Sequence, residues 1–221
     1  MNILMVGPQG SGKGTQAERL IEKFGLVHVE MGGLLRQISK EDSDLGLKVK
    51  ETINSGQLVP DEMIIEILNN YLESINQLDN LLFDGFPRVI SQARYFDEFM
   101  TEKGKKLDIV ISLTLSKEEV FQRLGNRRTC SKCGKVFNVA TKPSKIEGVC
   151  DYCEGELIVR AYETLEKIEK RLNAFEQQTV PMIEHYQKQG IVEEVDGERP
   201  IEVIFEDIVE RLKKRGLIAN V

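Results

Sequence analysis

The sequence predicts an α/β fold, a central parallel sheet with helices packed on both faces. Two observations predict it. Apolar runs of strand length alternate with amphipathic helical stretches, and two segments break that alternation where strands should end. A chain of 221 residues supplies one ample core and a small appendage. Its 41% hydrophobic and 30% charged residues are the balance of a water-soluble globular protein. The longest apolar runs, such as IVISLTL at 109–115, are too short to span a bilayer, so no membrane is expected as a partner. NILMVGPQG follows Met1 without a basic stretch or a small-residue cleavage site, so a cytoplasmic location is expected. A net charge of −6 argues against nucleic acid as the main partner.

In chain order, NILMV at 2–6 is a buried strand ending at Gly7. Ala17, Leu20, Ile21 and Phe24 then recur on one helix face, with Gly25 placed to close the helix. LLFD at 81–84 is a second strand, ending in an acid. Ser91 starts a helix that turns Ala93, Phe96 and Met100 inward. IVISLTL is a third strand, and Ser116-Lys117-Glu118-Glu119 is a capping box that opens the next helix. IVEEV at 191–195 is a fourth strand. Pro200, at a first helical position, then starts a helix with Ile201, Ile204, Phe205, Ile208 and Leu212 on one face. The interruptions are 31–60, short helices between Gly32 and Pro60, and 125–162, which holds every cysteine. Both read as insertions over the carboxyl ends of the strands, where open α/β sheets bind ligands. The core is then 1–30, 61–124 and 163–221.

Gly7 to Thr15 read G-x-x-x-x-G-K-G-T, after a strand and before a helix, which is the setting of a phosphate-binding P-loop. Gly7, Gly10, Gly12 and Gly14 let the backbone curl so that successive N–H groups face phosphate oxygens. The helix N-terminus adds positive partial charge, Lys13 a mobile cation, and the Thr15 hydroxyl a ligand for Mg²⁺. Asp84, closing an apolar strand, is placed as the acid that stands near that ion.

Cys130, Cys133, Cys150 and Cys153 form two C-x-x-C pairs with sixteen residues between them. The spacing fits two knuckles around a tetrahedral metal, with zinc first, iron in the same thiolate cage second and disulfides last. Four protein ligands leave no open position, so the metal would be structural. Lys132, Lys135, Lys142, Lys145, Phe137 and Tyr152 give the module some of the character of a nucleic-acid-binding ribbon. Arg123, Arg127 and Arg160 flank it at its two ends. The choice is between a stiff flap over a nucleotide and a P-loop protein whose ribbon holds RNA or a protein partner.

GPQGSGKGTQA at 7–17, DGFPR at 84–88 with Gln92, RLGNRR at 123–128 and VDG at 195–197 together resemble the adenylate kinase family, and the likeness runs from end to end. The four cysteines resemble its zinc-bearing, long-lid members. The resemblance implies a P-loop three-layer fold around a central parallel sheet, with a small helical NMP-binding insertion at 31–60 and a zinc-bearing lid at 125–162. It implies reversible in-line transfer, ATP + AMP = 2 ADP, with Mg²⁺ accompanying ATP, a structural Zn²⁺, nucleotides as the partners and a monomeric state.

Carried over by position, the resemblance places Gly10, Ser11, Gly12, Lys13, Gly14 and Thr15 on ATP, with Thr15 and Asp84 serving Mg²⁺, partly through water. Arg36 and Arg88 would clamp the monophosphate, while Met31, Gln57, Leu58, Val59, Gly85 and Gln92 would surround its base. Arg123, Arg127, Arg160 and Arg171 would close on the polyphosphate. Arg123 and the backbone near Arg199 would meet the donor base. So many arginines suit phosphoryl transfer, which depends on positioning and charge rather than covalent help. The acceptor is itself an anionic phosphate, so neither His28 nor His185 is needed as a base.

The sequence departs from the family pattern in two places. Where S-T-G-D is usual, residues 30–36 read EMGGLLR, so Met31 replaces a threonine and Gly33 an aspartate. Met31 is expected to loosen acceptor-base selectivity, and Gly33 to leave more of the Mg²⁺ surroundings to Asp84. After the lid, R-x-D-D becomes RAYE at 160–163, and Tyr162 and Glu163 are expected to loosen lid closure.

Overall fold

The computed structural model describes residues 1–54, 59–159 and 165–219. Its strands are β1 (Ile3–Val6), β2 (Val27–Glu30), β3 (Leu81–Asp84), β4 (Ile109–Thr114), β5 (Arg127–Cys130), β6 (Val136–Asn138), β7 (Leu157–Ile158) and β8 (Val192–Asp196). Its α-helices are α1 (Lys13–Phe24), α2 (Met31–Ile38), α3 (Asp44–Asn54), α4 (Asp61–Ile75), α5 (Ile90–Glu102), α6 (Lys117–Gly125), α7 (Leu165–Ala174), α8 (Val180–Lys188) and α9 (Ile201–Lys214). A π-helical turn, Phe175–Thr179, joins α7 to α8. Among the described residues no helix is long and apolar enough to cross a membrane.

Five strands form one parallel sheet in the order β2-β3-β1-β4-β8. Side chains alternate across it, as a period of two requires. Ile3 and Met5 of β1 face a layer that includes Ala17 and Leu20 of α1 and Ile204, Ile208 and Leu212 of α9. Leu4 and Val6 face the opposite layer, built on α4, α5 and α8, with Leu68, Leu72, Phe96, Met182 and Tyr186 at its centre. Phe83 and Phe86 pack edge-on against Phe96, with ring centroids 4.8 and 5.7 Å away. Both faces are thus covered, and the carboxyl edge of the sheet is left for chemistry.

The helix signals read from the sequence fall where they should. Gly25 closes α1 in the left-handed conformation, its N–H donating to the Ile21 carbonyl. The Ser116 hydroxyl accepts from the Glu119 N–H at the start of α6. Two signals shift by a residue. Pro200 is the cap of α9 and not its first helical residue. Helix α5 begins at Ile90, and the Ser91 hydroxyl donates to Asp61 instead of capping. Strand β2 adds to the four strands expected. VHVE fully buries only Val29, and its pairing with β3 makes it a strand.

An ionic cluster ties α9 to β8. The Arg211 guanidinium donates to Glu193 at 2.7 Å and to Asp207 at 2.8 Å, and Arg215 Nε donates to Glu193 at 2.7 Å. Burial pushes the Glu193 carboxyl up, but the Arg215 and Arg211 bonds outweigh it, and its pKa lies below the ordinary carboxylate value. A folded-state pKa below the unfolded one adds stability above the unfolded value, and that stability is lost as pH falls through the folded one. Glu193→Gln is therefore expected to cost about 1–2 kcal/mol at pH 7. Urea unfolding at pH 7 and near pH 4 checks it, with the penalty shrinking at the lower pH. A penalty independent of pH removes the ion-pair account.

Candidate active site

Three parallel strands, β3, β1 and β4, end on the same edge, and the loop after β1 turns there into α1. Gly7 lets the loop pass against β4. A Cβ on it would stand 2.7 Å from the Leu113 carbonyl oxygen and 2.9 Å from Ser11 Oγ. Gly10 and Gly12 hold φ of +87° and +88°, a region side chains disfavour, and Gly12 caps α1. The helix therefore opens on Lys13, Gly14 and Thr15 with its free N–H groups aimed at the edge.

Lys13 Nζ donates to the Gly7 and Pro8 carbonyls at 2.8 and 3.2 Å. Burial lowers its pKa, the Asp84 carboxylate opposes that shift, and the Arg88 and Arg127 guanidinia add to it. Arg88 keeps contact with solvent yet stands deep at the strand edge. Desolvation lowers its pKa first, Asp84 opposes, and Arg171 lowers it further. Lys13, Arg88, Arg127 and Arg171, from four separate parts of the chain, thus share one electrostatic neighbourhood with one acid. Cations crowded this way gain most from an anion of several charges.

Among the residues expected to meet the acceptor, Arg88 Nε donates to the Gly85 carbonyl at 2.8 Å. Gly85 has φ of +82°, and a Cβ there would lie 3.1 Å from Arg88 Nη2. Gln92 is 7% exposed, with Oε1 accepting from the Arg88 N–H at 2.8 Å and Nε2 donating to Asp61 at 2.7 Å. Val59 is partly buried and packs against the core cluster. Arg36 Nη2 donates to Glu30 Oε1 at 2.9 Å. Gln57 and Leu58 lie outside the described residues.

Met31 is 2% exposed and packed in the core cluster, which leaves its thioether little surface to offer a base. The acid absent at 33 also has a counterpart in space. Glu30 ends β2 in register with Asp84, and its Oε2 lies 2.7 Å from where a Cβ on Gly33 would stand. An acid therefore still borders position 33, where Arg36 holds it. Any side chain at 33 would have to displace it.

Helices α6 and α7 lead into and out of the cysteine segment, and Val120, Leu124, Ile168 and Leu172 lock them together. Arg123 on α6 donates from Nε to Glu119 at 2.6 Å, and Arg127 opens β5. Arg171 on α7 reaches back to the phosphate loop, donating to Gln9 Oε1 at 3.0 Å. Arg199 turns its side chain toward α9, donating to Asp207 at 2.6 Å, which leaves its backbone for any ligand. Arg160, Tyr162 and Glu163 lie outside the described residues.

The segment itself is a three-stranded antiparallel sheet, β6-β5-β7, over a core of Cys130, Phe137 and Cys150. All four sulfurs lie within 4.8 Å of one another. Cys130 and Cys153 are 3.4 Å apart and Cys133 and Cys150 3.6 Å, too far for disulfides. A tetrahedron with metal–sulfur bonds of about 2.3 Å puts sulfurs roughly 3.8 Å apart. Gly155 is required for closeness: a Cβ on it would meet Cys130 Sγ at 2.8 Å. The Cys133 N–H, donating to Cys130 Sγ, leads the effects that bring that thiol down to about 6. At Cys153 the Gly155 N–H pulls the same way, but the neighbouring sulfurs push it up to about 12. Four clustered sulfurs can all ionise only around a cation, so the donor set fits a thiolate-bound metal.

Glu30, Asp61 and Gln9 are residues to which the sequence assigned no role, and each holds a residue it singled out, as Glu119 of the capping box holds Arg123. Glu30 left a readable trace, since an acid appears at 30 in the same stretch that loses one at 33.

Comparison with known proteins agrees with this geometry. The adenylate kinase family model matches residues 5–191. An adenylate kinase of Carboxydothermus hydrogenoformans is 41% identical over 97% of this chain and 100% of its own length. One from Archaeoglobus fulgidus is 40% identical over 97% and 99%, and one from Clostridioides difficile 38% over 96% and 98%. With relatives aligned end to end and a P-loop set under a ring of arginines, the chain belongs to the adenylate kinase family and is an enzyme of that activity.

Proposed function

We propose that this enzyme carries out ATP + AMP = 2 ADP at the carboxyl edge of β1, β3 and β4, with Lys13 between donor and acceptor. The observation that carries the reading is the shared neighbourhood of Lys13, Asp84, Arg88 and Arg127, with Arg171 acting on Arg88. The N–H groups from Gly10 to Thr15 and the Lys13 ammonium hold the donor polyphosphate. Arg88 and Arg36 grip the acceptor phosphate, and Arg123, Arg127, Arg160 and Arg171 close from the lid side. Charge spread over the moving phosphoryl oxygens meets fixed cations, which lowers the barrier without a strong base. Mg²⁺, held by the Thr15 hydroxyl and, through water, by Asp84, would neutralise and orient the polyphosphate.

Residues 31–60 act as the acceptor-side insertion and 125–162 as the lid, with 1–30, 61–124 and 163–221 as core. The lid metal is zinc, favoured by an all-thiolate set of four. The reading as a nucleic-acid ribbon is weakened by its own residues. Phe137 is 3% exposed inside the lid core, and Lys135 is engaged with Glu18 of α1 at 2.8 Å. The cytoplasm, which keeps thiols reduced, suits four unpaired cysteines.

Initial rates of diphosphate formation from Mg·ATP with AMP, GMP, CMP and UMP test the reading. Rapid ADP formation from AMP, far above the other acceptors, is expected. Comparable rates with several acceptors overturn the selectivity, and no transfer to any of them overturns the reading.

A further inference from the structure

The Gln92 amide can be oriented in one way only. Its Oε1 accepts from the Arg88 backbone N–H at 2.8 Å, and its Nε2 donates to Asp61 Oδ1 at 2.7 Å. A backbone N–H only donates and a carboxylate only accepts, so turning the amide over would set donor against donor and acceptor against acceptor. Asp61 is held in turn, its Oδ2 accepting from Ser91 Oγ at 2.6 Å. It is the first residue of α4, and through these bonds it reaches across to the first turn of α5. Buried at 7% exposure, Gln92 has no water to replace a lost partner cheaply.

We propose that Asp61 is a positioning residue for acceptor choice, fixing the Gln92 amide so that the site accepts a 6-aminopurine and rejects a 6-oxopurine. The proposal rests on the reading of Gln92 as the acceptor-base contact. After its two internal bonds, the amide keeps one N–H on Nε2 and one lone pair on Oε1. Adenine offers the complement, an N1 acceptor beside a 6-amino donor. Hypoxanthine, in the same place, offers an N1–H donor and an O6 acceptor, so both contacts become repulsive. A freely turning amide would flip and serve either base. A held amide serves one, and a site with a buried unpaired group rejects the other strongly.

The test compares AMP with IMP, which differ only at that edge, in the full-length enzyme and in Asp61→Ala, Asp61→Asn and Gln92→Ala. Asp61→Ala removes one of the two bonds that set the amide and leaves the Arg88 N–H, so it is expected to lower the AMP:IMP ratio of kcat/KM about threefold to tenfold, mainly through a lower KM for IMP. Asp61→Asn should restore most of the ratio, because its Oδ1 still accepts from Gln92 and the Ser91 hydroxyl can donate or accept. If Asp61→Ala fails to fold, Asp61→Ser, too short to reach Gln92 but polar at the helix start, reads the same ratio. Equal loss with both acceptors means a structural role alone and overturns the proposal. So does an Asn variant that behaves as Ala. A ratio unchanged in Asp61→Ala but collapsed in Gln92→Ala overturns the lock and leaves the base contact standing. A ratio unchanged in Gln92→Ala overturns both.

Discussion

Replacing Lys13 with methionine is expected to lower kcat by about a thousandfold or more, while thermal stability holds steady or rises. The two effects have one cause. Burial and the nearby Arg88 and Arg127 charges both work against the ammonium, and Asp84 only partly compensates. A group kept charged against such opposition is poor for folding and well placed for an anion. Methionine keeps the length of the stem and removes the charge, so the fold loses a repulsion, whereas the transition state loses a cation aimed at developing negative charge. A thousandfold corresponds to about 4 kcal/mol, the size of one well-placed electrostatic contact in a dry site. A coupled assay of ADP formation reads the rate, and calorimetry the melting temperature. A fall of less than tenfold would move the centre of the chemistry to the arginines.

The parts of this molecule that could be read from sequence are those whose signal is local. ILMV and LLF are apolar throughout, as strands buried on both faces must be, and the amphipathic faces of α1 and α9 repeat with the helical period. The phosphate loop is local as well, because glycines and lysine must follow one another for the backbone to curl. Strand β2 was missed because VHVE mixes polar and apolar residues and gains its hydrogen bonds from β3, more than fifty positions away. The lid strands RRTC, VFN and LI are only two to four residues long, too short to display a period of two. The site was legible as single residues and opaque as pairs. Arg36 and Gln92 could be named, but Glu30 and Asp61, which hold them, are defined by separation in space. Met31 shows the same limit from the other side, since its type suggested a surface and its place in the core leaves little of one.

Stripping the metal from the four thiols is expected to unfold the lid first and the rest of the chain later. The lid's own apolar core is Cys130, Phe137 and Cys150, with Cys153 and Leu157 packed on it, far too little to offset the entropy of ordering the segment. The main sheet, by contrast, has two full layers and does not use the cysteines at all. Thiol-bound structural metal supplies on the order of 10 kcal/mol, so its loss converts the lid to a flexible loop. Arg127 sits in β5 three residues before Cys130, so it loses its fixed position at the same time. Turnover should fall at least about tenfold, because closure excludes water and completes the cationic ring. Titration with a mercurial, followed by a metal indicator, should release one metal per four thiols. Calorimetry of the stripped protein should show a new low-temperature transition beside the main one. Cys130→Ser should reproduce both effects in part, since a hydroxyl is a poor replacement for thiolate. Full turnover and an unsplit melting curve after complete removal would mean that the sheet and its hinge helices hold the lid, and that the four sulfurs do not.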